Sequence, residues 1–140
     1  MQELDRFGYD FSDEQRDIRE MMLRFGQDVL LPGAKERDLS HAFPRAEIDA
    51  LAAMGGMAMK TSAEDDGPGM DNTGYVLAIE ALSRFDASVG VVAVAGNLAA
   101  AIVAANANED QRARFLRPLA RGEKGAMSFA LTEPHCGSDA

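Results

Sequence analysis

An all-α fold is predicted: a bundle of about five helices, with one strand at the C-terminal end. Three observations predict it. Apolar residues recur at helical spacing in successive segments of the chain. Ser, Asp and Asn stand where those segments would begin, and Gly or Pro where they would stop. The composition is rich in Ala, with eight Met, and poor in aromatics, with seven Phe, two Tyr and no Trp. Straight-chain and small residues of this kind lose little freedom in a helix. At 46% hydrophobic and 26% charged residues, the 140-residue chain should pack one ordinary core and should not be disordered.

The first helix should start at Ser12, which stands in capping-box spacing with Gln15, with Asp13 and Glu14 in the first turn. Ile18, Met21, Met22, Phe25 and Val29 form its apolar face, and Pro32 should kink or end it. A polar link over 33–42 is expected next. Pro44 suits the first position of a second helix, whose face is Ile48, Leu51 and Met54, and Gly55-Gly56 should stop it. Residues 57–60 read as extended, and the Gly- and Asp-rich stretch 62–71 as a loop. Asp71 should cap a third helix over 72–84, carrying Tyr75, Leu77, Ala78, Ile79 and Leu82.

Asp86 should cap a fourth helix through the uncharged stretch 87–107. That stretch is long enough to cross a bilayer, but it is mostly small residues and contains Asn97 and Asn106. A helix apolar all round, at the centre of a bundle, is the expected outcome. A fifth helix should begin at Asn108, in capping-box spacing with Gln111, and stop near Pro118. After Gly122 and Gly125 the run 126–132 reads as a strand. A lone strand lacks a partner for its backbone groups, so the polypeptide reads as incomplete. The expected core includes Ile18, Met22, Phe25, Leu51, Ile79, Leu82, Val92 and Ile102.

Charge and special residues narrow the function classes. The net charge of −9 disfavours nucleic acid and anionic membranes, and requires any phosphate site to be made locally. Cys136 is the one cysteine, so no internal disulfide forms, and a reducing compartment is expected. The N-terminus MQELDRFGYD lacks the basic and apolar regions of a signal peptide, so a cytoplasmic location is expected. His41 belongs in the polar link, and no His or Cys set has metal-ligand spacing, so no metal site is expected.

The segment FALTEPHCGSDA, at 129–140, carries the chemistry. Backbone groups and a hydroxyl at a strand end can meet the polar edge of a planar ring. Glycine lets the backbone approach a phosphate, where amides and a serine hydroxyl donate. The same residues also suit a plain strand and polar turn.

This segment resembles the flavin-binding signature of the acyl-CoA dehydrogenase family, written xLTEPxAGSD. The resemblance continues, in order, through FSDEQRDIREMMLRFGQDVLLPGAKERD, FPRAEIDALAAMGG, GYVLAIEALSRFDASVGV and EDQRARFLRPLARGEKGAMSFALTEP. It implies the family's N-terminal helical bundle over residues 1–122 and the start of its middle β-domain over 123–140. The rest of that domain and a further helical domain would be missing from this chain. Members remove the α- and β-hydrogens of an acyl-CoA thioester, a glutamate taking the α-proton and FAD accepting the β-hydrogen as hydride.

Carried over by position, the resemblance implies that the segment from Phe129 and Ala130 to Ser138 lines the FAD, with Leu131 and Thr132 against the ring system, Gly137 and Ser138 near the pyrophosphate, and Ser138 also bordering the acyl-CoA. It implies that the wall of the acyl pocket includes part of 92–102, where plain core packing also accounts for any single residue. No catalytic residue is expected in this chain. The family's base belongs to the missing region, while Glu80 and Glu133 read as a solvated face and a fixed turn residue. The chain departs from the pattern at His135 and Cys136. It departs again at Asp65 and Asp66, which replace an aromatic and a glycine of the pattern EEYGGxGLD. Full-length relatives are expected to be homo-oligomers, with an electron acceptor the sequence does not specify. The alternatives are an oxidase or reduced-flavin monooxygenase of the same fold, or a non-catalytic helical interaction module.

Overall fold

The computed structural model describes Gly8 and residues 10–139. Helix α1 (Asp13–Phe25) begins on Ser12, whose hydroxyl accepts the Gln15 amide while Gln15 returns its side-chain oxygen to the Ser12 N–H. The chain does not break at Pro32. A π turn (Gly26–Leu30) leads directly into α2 (Leu31–Ser40), with Pro32 in its first turn. The Leu31 amide donates to the Gly26 carbonyl five residues back. That wider turn makes room where a proline ring would meet the carbonyl four residues before it, and where no N–H is available. The link expected over 33–42 is therefore mostly helix, ending at His41 in the left-handed conformation (φ 57°).

Helix α3 (Arg45–Ala53) starts one residue later than expected, with Pro44 as its N-cap. Gly55, at φ +80°, ends that region. Residues 57–60 are turns rather than extended backbone: the Ala58 and Thr61 amides donate to the carbonyls three residues before them. The reason is burial. Met57, Ala58 and Met59 are buried in the core, where the turns pair the Ala58 groups locally while the Met59 N–H and carbonyl pair with Asn97 and Met70. The loop that follows contains one 3-10 turn (Ala63–Asp65).

Helices α4 (Asn72–Ser83) and α5 (Ala87–Asn106) are capped by Asp71 and Asp86 as read from the sequence. Asp86 uses one carboxylate oxygen on the Ser88 and Val89 amides and the other on Arg37. Arg37 also reaches Glu47 at 2.7 Å and the Leu30 carbonyl at 2.6 Å, so one guanidinium joins α2, α3 and the start of α5. The last helix has three parts: α6 (Glu109–Gln111), a second π turn (Arg112–Leu116) and α7 (Arg117–Ala120). It opens on the Asn108–Gln111 capping box and ends at Ala120, two residues beyond Pro118, near where its stop was expected.

Helix α1 packs on α4, α4 on α5, and α3 on α5. Met22, Leu30, Ile48, Leu51, Met57, Met59, Leu82, Val89, Leu116 and Leu119 are fully buried between them. Phe25 is also buried, whereas Ile18, Ile79 and Val92 pack on the rim of this core and Ile102 is half-buried. Gly26 lies so close to the Phe85 ring that any side chain would displace it.

Helix α5 is not enclosed. By length and composition it could cross a bilayer, yet Val89, Gly90, Ala93, Gly96, Asn97, Ala99 and Ala100 face the bundle while Val91, Val94 and Leu98 are exposed. The Asn97 side chain fixes this orientation. It accepts the Met59 amide at 2.7 Å and donates to the Gly56 and Ala93 carbonyls at 2.9 Å.

Two outcomes are expected. Asn97→Ala strands two buried backbone groups, at roughly 1–3 kcal/mol for each, whereas Ile79→Ala at the rim should cost less than Leu82→Ala, at roughly 2–5 kcal/mol. Urea unfolding measures both, and an unchanged midpoint for Asn97→Ala would contradict the bridge. The second concerns pH. Hydrogen bonds from the Gly74 amide (2.6 Å) and Gln15 (2.7 Å) hold the Asp71 carboxyl below its ordinary value of 3.8. A depressed folded pKa adds stability above the unfolded pKa, lost as pH falls through the folded value. Protection of the Gly74 amide, its exchange measured against the intrinsic rate at each pH, should therefore fall as pH drops below 3.8, and Asp71→Asn should abolish that step.

Candidate functional site

The route to the 129–138 segment begins at the end of α7. The Gly122 and Glu123 amides donate to the Leu119 and Pro118 carbonyls. Gly122 itself sits at φ +72°, pressed on the end of α3: a Cβ there would be 2.5 Å from the Ala52 carbonyl oxygen. Glycine is required on both counts. Gly125 then passes Asp49, and Met127 packs on the edge of the core.

Beyond Met127 the chain leaves the bundle. No strand forms at 126–132, which corrects the expectation from sequence. Among the described residues these positions make no backbone hydrogen bond to another segment. The physical reason is the absence of a pairing edge in a bundle whose other elements are helices. What does form is one antiparallel bridge: the Glu133 amide donates to the Cys136 carbonyl at 2.9 Å, and the Cys136 amide to Glu133 at 3.3 Å. It closes a tight turn over Pro134 and His135.

All six candidate flavin residues lie on this one segment and face outward. Phe129 and Leu131 are 45% and 53% exposed, and Ala130, Thr132, Gly137 and Ser138 are exposed with them. A side chain at Gly137 would meet nothing within 4 Å. The segment thus presents unpaired backbone donors, two hydroxyls and an open glycine. That donor set fits one side of a flavin and its pyrophosphate.

Two hollows flank α5. One, of about 630 Å³, lies beside its N-terminal half and is lined by His41, Phe43, Phe85, Ser88 and Val92. The other, of about 310 Å³, lies beside its C-terminal half against Lys60, Thr61, Ala100, Ala101 and Ala104. Of the two glutamates considered as bases, Glu80 is paired with Arg19 at 3.5 Å and Arg84 at 3.9 Å. Glu133 is exposed in the bridged turn. Among the described residues no group of His, Cys, Asp or Glu is gathered to hold a metal ion.

The sequence reading missed a charge cluster along the helix over 109–120. Asp65, 2% exposed, binds Arg112 and lies 3.5 Å from Arg117. Arg112 also donates to the Ala104 carbonyl at the end of α5. Arg117 bonds Glu109 at 2.6 Å, and that bond raises its pKa above the ordinary arginine value. The neighbouring Asp66, in the left-handed conformation at φ 61°, takes Arg121 at 2.9 Å. The one sequence signal for this cluster was the Asp65-Asp66 departure itself.

Comparison with known proteins adds an independent finding. The profile described as "Acyl-CoA dehydrogenase, N-terminal domain" matches residues 12–123. The short-chain-specific acyl-CoA dehydrogenase of Clostridium acetobutylicum is 34% identical over 132 residues, 94% of this chain and 35% of that protein. The structure of butyryl-CoA dehydrogenase from Megasphaera elsdenii superposes with a TM-score of 0.84 at 32% identity, over 94% of this chain and 35% of that one. An acyl-CoA dehydrogenase complexed with FAD from Bacillus anthracis superposes with a TM-score of 0.78 at 29% identity, over 93% of this chain and 22% of that one. The chain therefore spans about a third of the length of the curated relatives it matches.

The geometry yields a proteolysis outcome. Chymotrypsin should cut after Phe129 or Leu131 before any bond between residues 13 and 120. Mass spectrometry of early digests reads this, and a first cut inside the helical stretch would show that the segment is protected.

Proposed function

This chain belongs to the acyl-CoA dehydrogenase family through that family's N-terminal domain, and from that premise we propose that it supplies the helical part and first flavin contacts of an enzyme that α,β-dehydrogenates an acyl-CoA thioester. One observation carries the reading: the match to the family's N-terminal domain runs over 12–123, and the exposed FALTEPHCGSD segment follows it after five residues, beginning at Phe129. Residues 1–122 then form the helical domain and 123–140 open the next one, in a cytoplasmic setting.

FAD, when bound, accepts the β-hydrogen as hydride. The contribution of this chain is to hold and orient. The backbone from Phe129 to Thr132 meets the polar edge of the ring, with the Thr132 hydroxyl as a further donor. Gly137 lets the chain approach the pyrophosphate, and the Ser138 hydroxyl donates to it and borders the thioester. The hollow beside Phe43, Phe85 and Val92 offers apolar surface to an acyl chain. None of these residues takes the α-proton: Glu80 is committed to two arginines, and Glu133 sits between Thr132 and Pro134 in the bridged turn. The base is a carboxylate supplied from outside these residues.

Two assays test this. The 140-residue chain with added FAD should give no acyl-CoA-dependent reduction of an artificial electron acceptor above a no-protein control; turnover would require a base among these residues. Joined to the remainder of the Clostridium acetobutylicum relative, the chain should retain FAD and turn over. There Ser138→Ala should weaken FAD binding by roughly ten- to a hundredfold, the worth of one hydrogen bond to a charged phosphate. Unchanged FAD affinity would remove Ser138 from the site.

A further inference from the structure

We infer that Asp65 is a positioning residue for the flavin-contacting segment, acting through Arg112 and Arg117 on the helix that delivers it. This rests on the reading above that 129–138 contacts FAD. The helix over 109–120 is short, is widened by a π turn and contains Pro118. A helix of that length is marginal alone and depends on docking. Its buried anchors, Leu116, Leu119 and Ala120, hold it to the core. Apolar contact is non-directional, so these anchors leave its rotation and axial position weakly set.

The buried carboxylate of Asp65 supplies the direction. It faces Arg112 in the π turn and Arg117 one turn later, while Arg112 is also held by the Ala104 carbonyl of α5. Next in sequence, Asp66 takes Arg121, at the residue before the Gly122 turn. Two adjacent aspartates thus grip three arginines along the helix, and the last of the three stands where the flavin-contacting segment departs. The backbone allows this because Asp66 adopts the left-handed conformation that the family pattern gives to a glycine, and aspartate tolerates it better than most residues. The chain has charge pairing where the pattern has an aromatic ring.

Amide hydrogen exchange by NMR on the 140-residue chain tests the assignment. Asp65→Asn keeps the shape and removes the charge. Exchange should rise at least tenfold over residues 116–127 while α1 and α4 keep their wild-type rates, and Asp65→Glu should restore most of the protection. Should Asp65→Asn fail to fold, Arg117→Gln, at a partner far more exposed than Asp65 itself, should give the same localised pattern with a smaller rise. An equal rise in every helix would overturn the proposal and leave Asp65 as a general structural residue. Unchanged exchange over 116–127 would also overturn it. The readout needs no flavin, so failure here leaves the proposed function standing, and absence of FAD binding leaves this result standing.

Discussion

A helix of twenty residues without one acidic or basic side chain has no polar face to decide which way it turns. In α5 that decision falls to Asn97. Its side chain satisfies a donor and an acceptor of the 56–59 turn, which have no water to turn to. Gly90, Ala93, Gly96 and Ala100 lie on the buried side with it, and their small size lets the turn approach closely enough to insert Met57 and Met59. Those two methionines share one buried cluster with Leu51, Leu82 and Leu119. The outward display of Val91, Val94 and Leu98 follows from the same rotation.

Charge does the complementary work at the other ends of the bundle. Arg37 meets Asp86, Glu47 and the Leu30 carbonyl at once, so the carboxylate that caps α5 is itself held by α2. A half-paired buried charge is costly, and these groups complete one another's hydrogen bonding. Asp86 and Glu47 thus meet one arginine at the points where α5 and α3 start.

The helix starts were legible because a cap is a local contract between neighbouring residues. Ser12, Asp71, Asp86 and Asn108 all cap as their spacing implied. What misled was proline. Pro32 read as a kink or an end, but a π turn before it carries the helix through, and no residue type announces a π turn; the helix that holds Pro118 ends two residues beyond it, near its expected stop. The strand at 126–132 was read from side-chain pattern, whereas a strand exists only where an edge is available to pair. Burial on all sides of α5 was inferred from its hydrophobicity, which cannot show which side has a neighbour. At the candidate site, the flavin reading of 129–138 came from resemblance. The Asp65–Arg112 pair was not legible, because the two are 47 residues apart and only the fold brings them together.

The two π turns have a consequence for how such chains are to be compared. A π turn is one extra residue held within a helix, and every residue beyond it is rotated by about 100° relative to an uninterrupted α-helix. Here that reset occurs twice, each time two residues ahead of a proline. A relative that runs straight α-helix through either stretch needs one residue fewer to keep the same faces inward. An alignment gap beside Pro32 or Pro118 therefore marks no break in the helix, only a change of winding within it.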